Sequence, residues 1–139
     1  MSVEETLAII KPDATARNIA GRIISRIEEE GFTIRGLKHV RLSKPQAERF
    51  YEVHRGKQFF SSLTDFMSSG RVMVLCIERE GAIAKLREVM GATNPAQAAE
   101  GSIREVYGID VEKNSVHGSD STENARTEIG FFFSGLDLR

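Results

Sequence analysis

The sequence predicts an α+β sandwich of ferredoxin-like type, a four-stranded antiparallel sheet in the order βαββαβ covered by helices. Three observations predict it. Short apolar runs of strand length alternate with segments whose apolar residues recur at helical spacing. The elements run βαβ, two helices, then βαβα, and neighbours of mixed direction favour this class over a doubly wound parallel sheet. The 139 residues suffice for one packed core and not obviously for two, so residues 1–139 are read as a single domain.

Each element has its own signal. "TLAII" (6–10) is a continuous apolar run closed by Lys11-Pro12-Asp13, which predicts a buried strand stopping at Pro12. Ile19, Ile23, Ile24 and Ile27 then fall at helical spacing, with Gly31 as the stop. Phe32, Ile34, Leu37, Val40 and Leu42 suggest a second strand interrupted by Gly36. Ser43, Pro45 and Gln46 form a helix start with a capping box, and that helix is expected to reach about Val53. Phe59, Leu63, Phe66 and Met67 mark another helix ending at Gly70. "RVMVLCIE" (71–78) is apolar on both faces, as a central strand should be. "GAIAKLREVMG" follows as a helix with Ile83, Leu86, Val89 and Met90 inward, and residues 91–115 show no period. An irregular stretch of that length in a small domain is expected to be functional. "SVHG" is a short strand, and Asp120-Ser121-Thr122-Glu123 opens a last helix with Ala125, Ile129, Phe132 and Phe133 on one face.

Composition excludes several classes of function. Nineteen basic residues balance twenty acidic ones, which argues against a protein that coats nucleic acid or an acidic membrane. The one cysteine, Cys76, sits in the apolar run of the 71–78 strand, so it is read as a buried thiol in a reducing compartment. No apolar segment approaches a membrane span, and the acidic N-terminus lacks the basic start of a signal peptide. A cytoplasmic protein is expected. Neither Gly-rich phosphate-loop motif, no EF-hand spacing and no nucleophile elbow occurs.

The chemistry concentrates on His117, in "KNSVHGSDS" (113–121). A core histidine would be walled in by aliphatic side chains, and a zinc site would bring a second His or Cys at ligand spacing. Here the neighbours are Asn114, Ser115, Gly118, Ser119, Asp120 and Ser121, which suits a reactive imidazole that needs access and hydrogen-bonding donors. Lys11 lies just past the first strand, Arg87 on the helix before the long loop and Arg104 within it; Thr93 and Asn114 add neutral donors. Taken singly, each cation is an ordinary surface charge. Converging on a histidine, they would form a site for a polyanion such as a polyphosphate. Glu128 is either a surface glutamate or, if the last helix folds back, the group that fixes the imidazole tautomer. Phe59 and Phe60 are adjacent, so both cannot face the core and one is free to stack on a base. Tyr51 is a core or rim tyrosine by default. His39 and His54 carry no assigned role.

With these residues assembled, the chain resembles the nucleoside diphosphate kinases from end to end. The matching pieces are "IIKPDA", "FYEVH", the "FF…L…FM.SG" segment from Phe59 to Gly70, "LREVMGATNPAQAAEGSIR" and "NSVHGSDS" followed by "EI" and "FF". "GATNPA" (91–96) followed by "HGSDS" (117–121) is the most specific combination. The resemblance implies that His117 takes the γ-phosphate of a nucleoside triphosphate and passes it to a diphosphate, in a ping-pong cycle through a phosphohistidine. It implies Glu128 and Ser119 as the group orienting the imidazole, and Arg87, Thr93 and Arg104 as phosphate contacts, with Tyr51 beside the phosphates. Lys11 and Asn114 would contact the ribose 3′-hydroxyl and a nearby phosphate oxygen. Phe59 and Val111 would sandwich the base and so accept all of them; ATP, GTP, GDP and deoxynucleoside diphosphates are the expected partners. Mg2+ would arrive bridging the phosphates, with no dedicated protein ligands.

Three positions depart from the family pattern: Lys57-Gln58 where Arg-Pro is usual, Arg71 where Pro is usual, and Leu86 where Asn is common. The sequence stops soon after "FFFSGLDLR", without the C-terminal tail of eukaryotic members, and so is similar to the short bacterial form. Consecutive Phe131, Phe132 and Phe133 on one helix, and the isoleucine content of the early elements, predict a homo-oligomer. The resemblance favours a tetramer over a hexamer, both built on a common dimer with the loop at Asn94-Pro95 at the larger interface. The alternative reading is a ferredoxin-like regulatory nucleotide-binding module without catalysis, since the fold alone decides nothing.

Overall fold

A computed structural model describes residues 3–138. Its elements run β1 (Val3–Ile10), α1 (Pro12–Ala16), α2 (Ala20–Glu29), β2 (Thr33–Arg41), α3 (Lys44–Phe50), α4 (Phe60–Met67), β3 (Arg71–Glu80), α5 (Ala82–Met90), α6 (Ile103–Tyr107), β4 (Val116–Gly118) and α7 (Thr122–Phe132), with short 3-10 turns at Glu52–His54 and Pro95–Gln97. The strands form one antiparallel sheet in the order β2-β3-β1-β4. The ferredoxin-like expectation is met, and β3 is central as its two apolar faces required.

Strand alternation divides the core between the two faces of the sheet. Ala8 and Ile10 of β1, with Leu75 and Ile77 of β3 and Val116 of β4, pack against α2, α5 and α6. Leu7 and Ile9, with Val72, Val74 and Cys76, pack against α3, α4 and α7. Both central strands are therefore buried on two sides, which is why their sequences are runs and not alternations. Burial, and then Glu5, push the Cys76 thiol up to about 12, so it is an inert core group.

Several elements differ from the sequence expectation for local reasons. β1 begins at Val3, because Glu4 and Glu5 pair with Arg79 and Glu78 across the ladder despite their polarity. β2 is not broken at Gly36; a bulge between Ile34 and Gly36 absorbs one residue and the strand continues. The Ser43 capping box forms, but α3 ends at Phe50 and a 3-10 turn replaces the last expected helical turn. Residues 91–115 are not structureless: the 3-10 turn is capped by Asn94, and α6 by Ser102, whose hydroxyl accepts from Glu105 N–H. Five-residue helices are too short to show a period.

The phenylalanine run also differs. Phe133 has left α7 for extended backbone (φ −122°, ψ 139°) and is buried at 6 % exposure, while Phe131 and Phe132 are half-buried. Phe50 lies 5.4 Å from Phe131 and 5.2 Å from Phe132, ring centre to centre. The chain covers most of this apolar surface itself, so the run does not by itself call for a second subunit. The early isoleucines likewise turn inward: Ile9, Ile10, Ile23 and Ile27 are fully buried.

Candidate active site

His117 is the middle residue of β4, paired with Ile9 of the central strand β1. Alternation sends Val116 into the core on the α5 face and His117 to the other face, under α3 and α7. There its Nε2 meets Glu128 Oε1 at 2.8 Å, and Ser119 Oγ donates to the same oxygen at 2.9 Å. α7, capped by Ser121, does fold back along the sheet, and one turn and a half into it Glu128 reaches the ring. A carboxylate only accepts, so Nε2 carries the proton and Nδ1 is left with its lone pair. Among the described residues Nδ1 makes no hydrogen bond. Phe50 and Tyr51 stand nearly perpendicular to the imidazole, with ring centres 5.5 and 5.9 Å away. Phe50 went unrecognised in the sequence, where it looks like any helix-face aromatic.

Two more features of this turn were invisible in the sequence. Ser115 has φ +76°, a conformation unfavourable for a residue with a side chain, and is fully buried. Its carbonyl accepts the Lys11 N–H at 2.9 Å and its hydroxyl donates to Asp13 Oδ2 at 3.2 Å, which ties the approach to β4 onto the end of β1. Gly118 lets β4 lie close on α5: a Cβ there would come within 2.7 Å of Met90 Cε and 2.9 Å of Leu86 Cδ2, so both side chains would have to shift. Leu86, one of the departures from the family pattern, is thus a buried wall behind the histidine strand.

A cavity of about 710 Å³ opens in front of β4, and His117, Arg87, Thr93, Arg104, Gly91 and Asp120 are among its walls. Arg104 is buried, donating to Gly91 O at 3.0 Å and Val116 O at 2.8 Å, while its Nε has no partner among the described residues. Burial, then repulsion from Arg87, pulls its guanidinium down to about 10, still charged at neutral pH. Arg87 and Arg104 both line this cavity, which gives it the positive charge that an anionic ligand requires. Arg87 itself is exposed on the last turn of α5.

Lys11 and Asn114 form a second group. Lys11 is buried at 6 % exposure, and its Nζ donates to Asn114 Oδ1 at 2.8 Å and to Glu112 O at 3.3 Å. Asn114 Nδ2 in turn donates to Thr93 O and Val111 O, both at 3.0 Å, so this amide joins the cavity wall to the 109–113 loop. Desolvation first, then Arg104, brings the Lys11 ammonium down to about 8.

The aromatic side of the site is looser. Phe60 is in the core at 9 % exposure and Phe59 is 47 % exposed, the division required by their adjacency. Val111 is 55 % exposed. Ser62 Oγ donates to Glu112 Oε2 at 2.8 Å, which joins the start of α4 to the loop that carries Val111. His54 lies between, 6.2 Å from the Tyr51 ring and 5.3 Å from the Phe59 ring. Lys57 Nζ contacts His54 Nδ1 at 3.1 Å and lies 5.8 Å from the Phe59 ring centre. Tyr51 is buried, and its hydroxyl has no partner among the described residues. Burial, and then Glu128, push that phenol well above its ordinary value, so it stays a neutral donor.

The chain is similar to known proteins over nearly all of its length. The family model for nucleoside diphosphate kinase matches residues 4–138. Nucleoside diphosphate kinases of Cereibacter sphaeroides and Persephonella marina are 56 % and 51 % identical to the chain over 138 residues, covering 99 % of it and 99 % of each relative. The solved nucleoside diphosphate kinase of Aquifex aeolicus superposes with a TM-score of 0.97 at 45 % identity, over 99 % of this chain and all of that one. That of Halobacterium salinarum, solved in complex with CDP, gives 0.95 at 36 % identity, over 99 % of this chain and 92 % of that one. Matches of this extent leave no ground for preferring a noncatalytic regulatory module. The chain belongs to the nucleoside diphosphate kinase family, an enzyme family.

Proposed function

We propose that His117 Nδ1 carries the phosphoryl group between two nucleotides in turn. The observation that supports this most is the Glu128 hydrogen bond at 2.8 Å on Nε2, which leaves Nδ1 as the nucleophile on a cavity lined by Arg87 and Arg104. In the first half-reaction the Nδ1 lone pair attacks the γ-phosphorus, the bond to the β–γ bridging oxygen breaks, and the nucleoside diphosphate leaves with that electron pair. In the second, a terminal oxygen of an incoming diphosphate attacks the phosphorus and the Nδ1–P bond breaks. Glu128, with Ser119, keeps the proton on Nε2 throughout and offsets the positive charge that develops on the ring.

The cations act on the phosphates. Arg87, Arg104 and Thr93 hold them, and the neutral Tyr51 hydroxyl donates beside them. Lys11 and Asn114 hold the ribose 3′-hydroxyl and a phosphate oxygen. Glu88 and Asp120 are the carboxylates on the cavity wall, and no cluster of metal-ligating side chains occurs among the described residues. That donor set suits Mg2+ riding on the nucleotide phosphates, where it would shield the charge on their oxygens. Phe59 and Val111 hold the base by contact alone, so ATP, GTP, GDP and deoxynucleoside diphosphates all serve.

The same reading makes the chain a cytoplasmic homo-oligomer. No described helix is long and apolar enough to cross a membrane, and the buried Cys76 needs no oxidising compartment. β2 is an edge strand, paired only with β3 among the described residues, and its open backbone edge is a place for a second copy to pair. A tetramer is preferred over a hexamer on similarity to short bacterial forms, and sedimentation equilibrium distinguishes the two. For the reaction itself, initial rates over a grid of ATP and dCDP concentrations should give parallel double-reciprocal lines. Intersecting lines, which indicate a ternary complex, would overturn the two-step reading.

A further inference from the structure

We propose that Glu112 is a specificity-determining residue, a carboxylate at the rim of the base slot that favours bases with outward N–H donors, guanine above all, over uracil and thymine. The proposal rests on the reading of Phe59 and Val111 as the walls of that slot.

Glu112 directly follows Val111, and its Oε2 accepts the hydroxyl proton of Ser62, three residues after Phe59, at 2.8 Å. Residues three apart at a helix start share a side, so the carboxylate reaches from one wall to the other. It is half-buried, and its backbone is fixed at both ends. The Glu112 N–H donates to Asp110 Oδ1 at 3.0 Å, which also accepts from Lys113 N–H at 2.7 Å, and the Glu112 carbonyl accepts from Lys11 Nζ. Among the described residues Oε1 makes neither a hydrogen bond nor an ion pair. A free, positioned acceptor therefore stands on the Val111 side of the slot, while the polar groups on the Phe59 side, Lys57 and His54, contact each other.

A carboxylate accepts and never donates. Guanine offers it N1–H and the 2-amino group side by side, a bidentate match. Adenine and cytosine offer one amino group. Uracil and thymine offer a single N–H flanked by two carbonyl oxygens, which the carboxylate repels. Stacking lets all bases in, and Glu112 ranks them.

The test is kcat/KM for GDP and for UDP as acceptors with ATP as donor, in the wild type, Glu112→Ala, Glu112→Gln and Phe59→Ala. The ratio of two acceptors on one preparation is independent of the folded fraction. A GDP preference of about tenfold is expected in the wild type, the low end for a bidentate contact at a solvated rim. It should collapse towards unity in Glu112→Ala, which has no acceptor, and fall part of the way in Glu112→Gln, whose amide keeps one accepting oxygen but not the bidentate pair. A ratio in Glu112→Ala within about twofold of the wild type overturns the proposal. Phe59→Ala should lower both acceptors alike. If it leaves both unchanged the slot reading itself fails, whereas an effect of Phe59→Ala without one of Glu112→Ala defeats only the role of Glu112.

Discussion

The two ends of the proposed nucleotide site are built by opposite rules. At the histidine end the imidazole and two of the three cations are held, His117 and Ser119 on Glu128, Lys11 on Asn114 and Arg104 on two carbonyls, and Arg87 alone is exposed. The backbone there even accepts a left-handed Ser115. At the base end two exposed apolar side chains, Phe59 and Val111, face solvent with one carboxylate beside them. Phosphoryl transfer loses rate steeply with misplacement, so its groups must be fixed before substrate arrives. Stacking depends little on which base is present, so its walls need not be. On this reading one site combines strict chemistry with permissive base choice.

Substitutions that break the fixed end should cost most. His117→Ala should abolish transfer while leaving ADP binding, measured by calorimetry, within a few-fold, because the imidazole supplies chemistry more than affinity. Glu128→Gln keeps the size of the side chain but loses the charge that holds the Nε2 proton; kcat should fall on the order of 10²-fold with KM little changed. A rise in KM alone would instead place Glu128 in nucleotide binding. Arg87→Ala removes an exposed cation on the cavity wall, and a loss of about 10- to 100-fold in kcat/KM is expected, since Arg104 remains to hold the phosphates.

The loose end should respond less and differently. Phe59→Ala is expected to raise KM by about tenfold for purine and pyrimidine acceptors alike, with kcat nearly constant. A drop in kcat of the size caused by Glu128→Gln would erase the distinction between the two ends.

Lys11 sharpens the comparison through pH. Burial holds its ammonium at about 8, below the ordinary 10.5, so it is charged below that pH and loses its proton as pH rises through it. kcat/KM should therefore fall above about pH 8, and kcat should break at higher pH, because bound phosphates favour the charged form. A profile flat through that range contradicts the role given to Lys11.

How much of this was legible in the sequence follows the same division. The buried strands announced themselves, as 71–78 did, because two-sided burial leaves no polar positions. His117 stood out because its neighbours are small and polar, and Phe59 against Phe60 was decided by adjacency. The convergence of Lys11, Arg87 and Arg104 needed the family resemblance, since the cations lie far apart along the chain and singly look like surface charge. Phe50 gave no sign, because its contact with His117 joins residues far apart along the chain. Nor did Ser115, whose φ of +76° belongs to a residue type that does not advertise it. Nor did the cover that Phe50 gives to Phe131 and Phe132, with ring centres 5.4 and 5.2 Å away, which takes up apolar surface that the run alone assigns to a partner.

Whether the phosphoryl group rests on His117 can be measured directly by incubating the protein with γ-labelled ATP and Mg2+, removing nucleotide, and following the label on the isolated chain. The label should be stable in alkali, lost in acid, absent from His117→Ala, and discharged as labelled GTP on adding GDP. Protein that turns over ATP and GDP without ever holding the label, or that holds it equally in His117→Ala, would rule out His117 as the carrier.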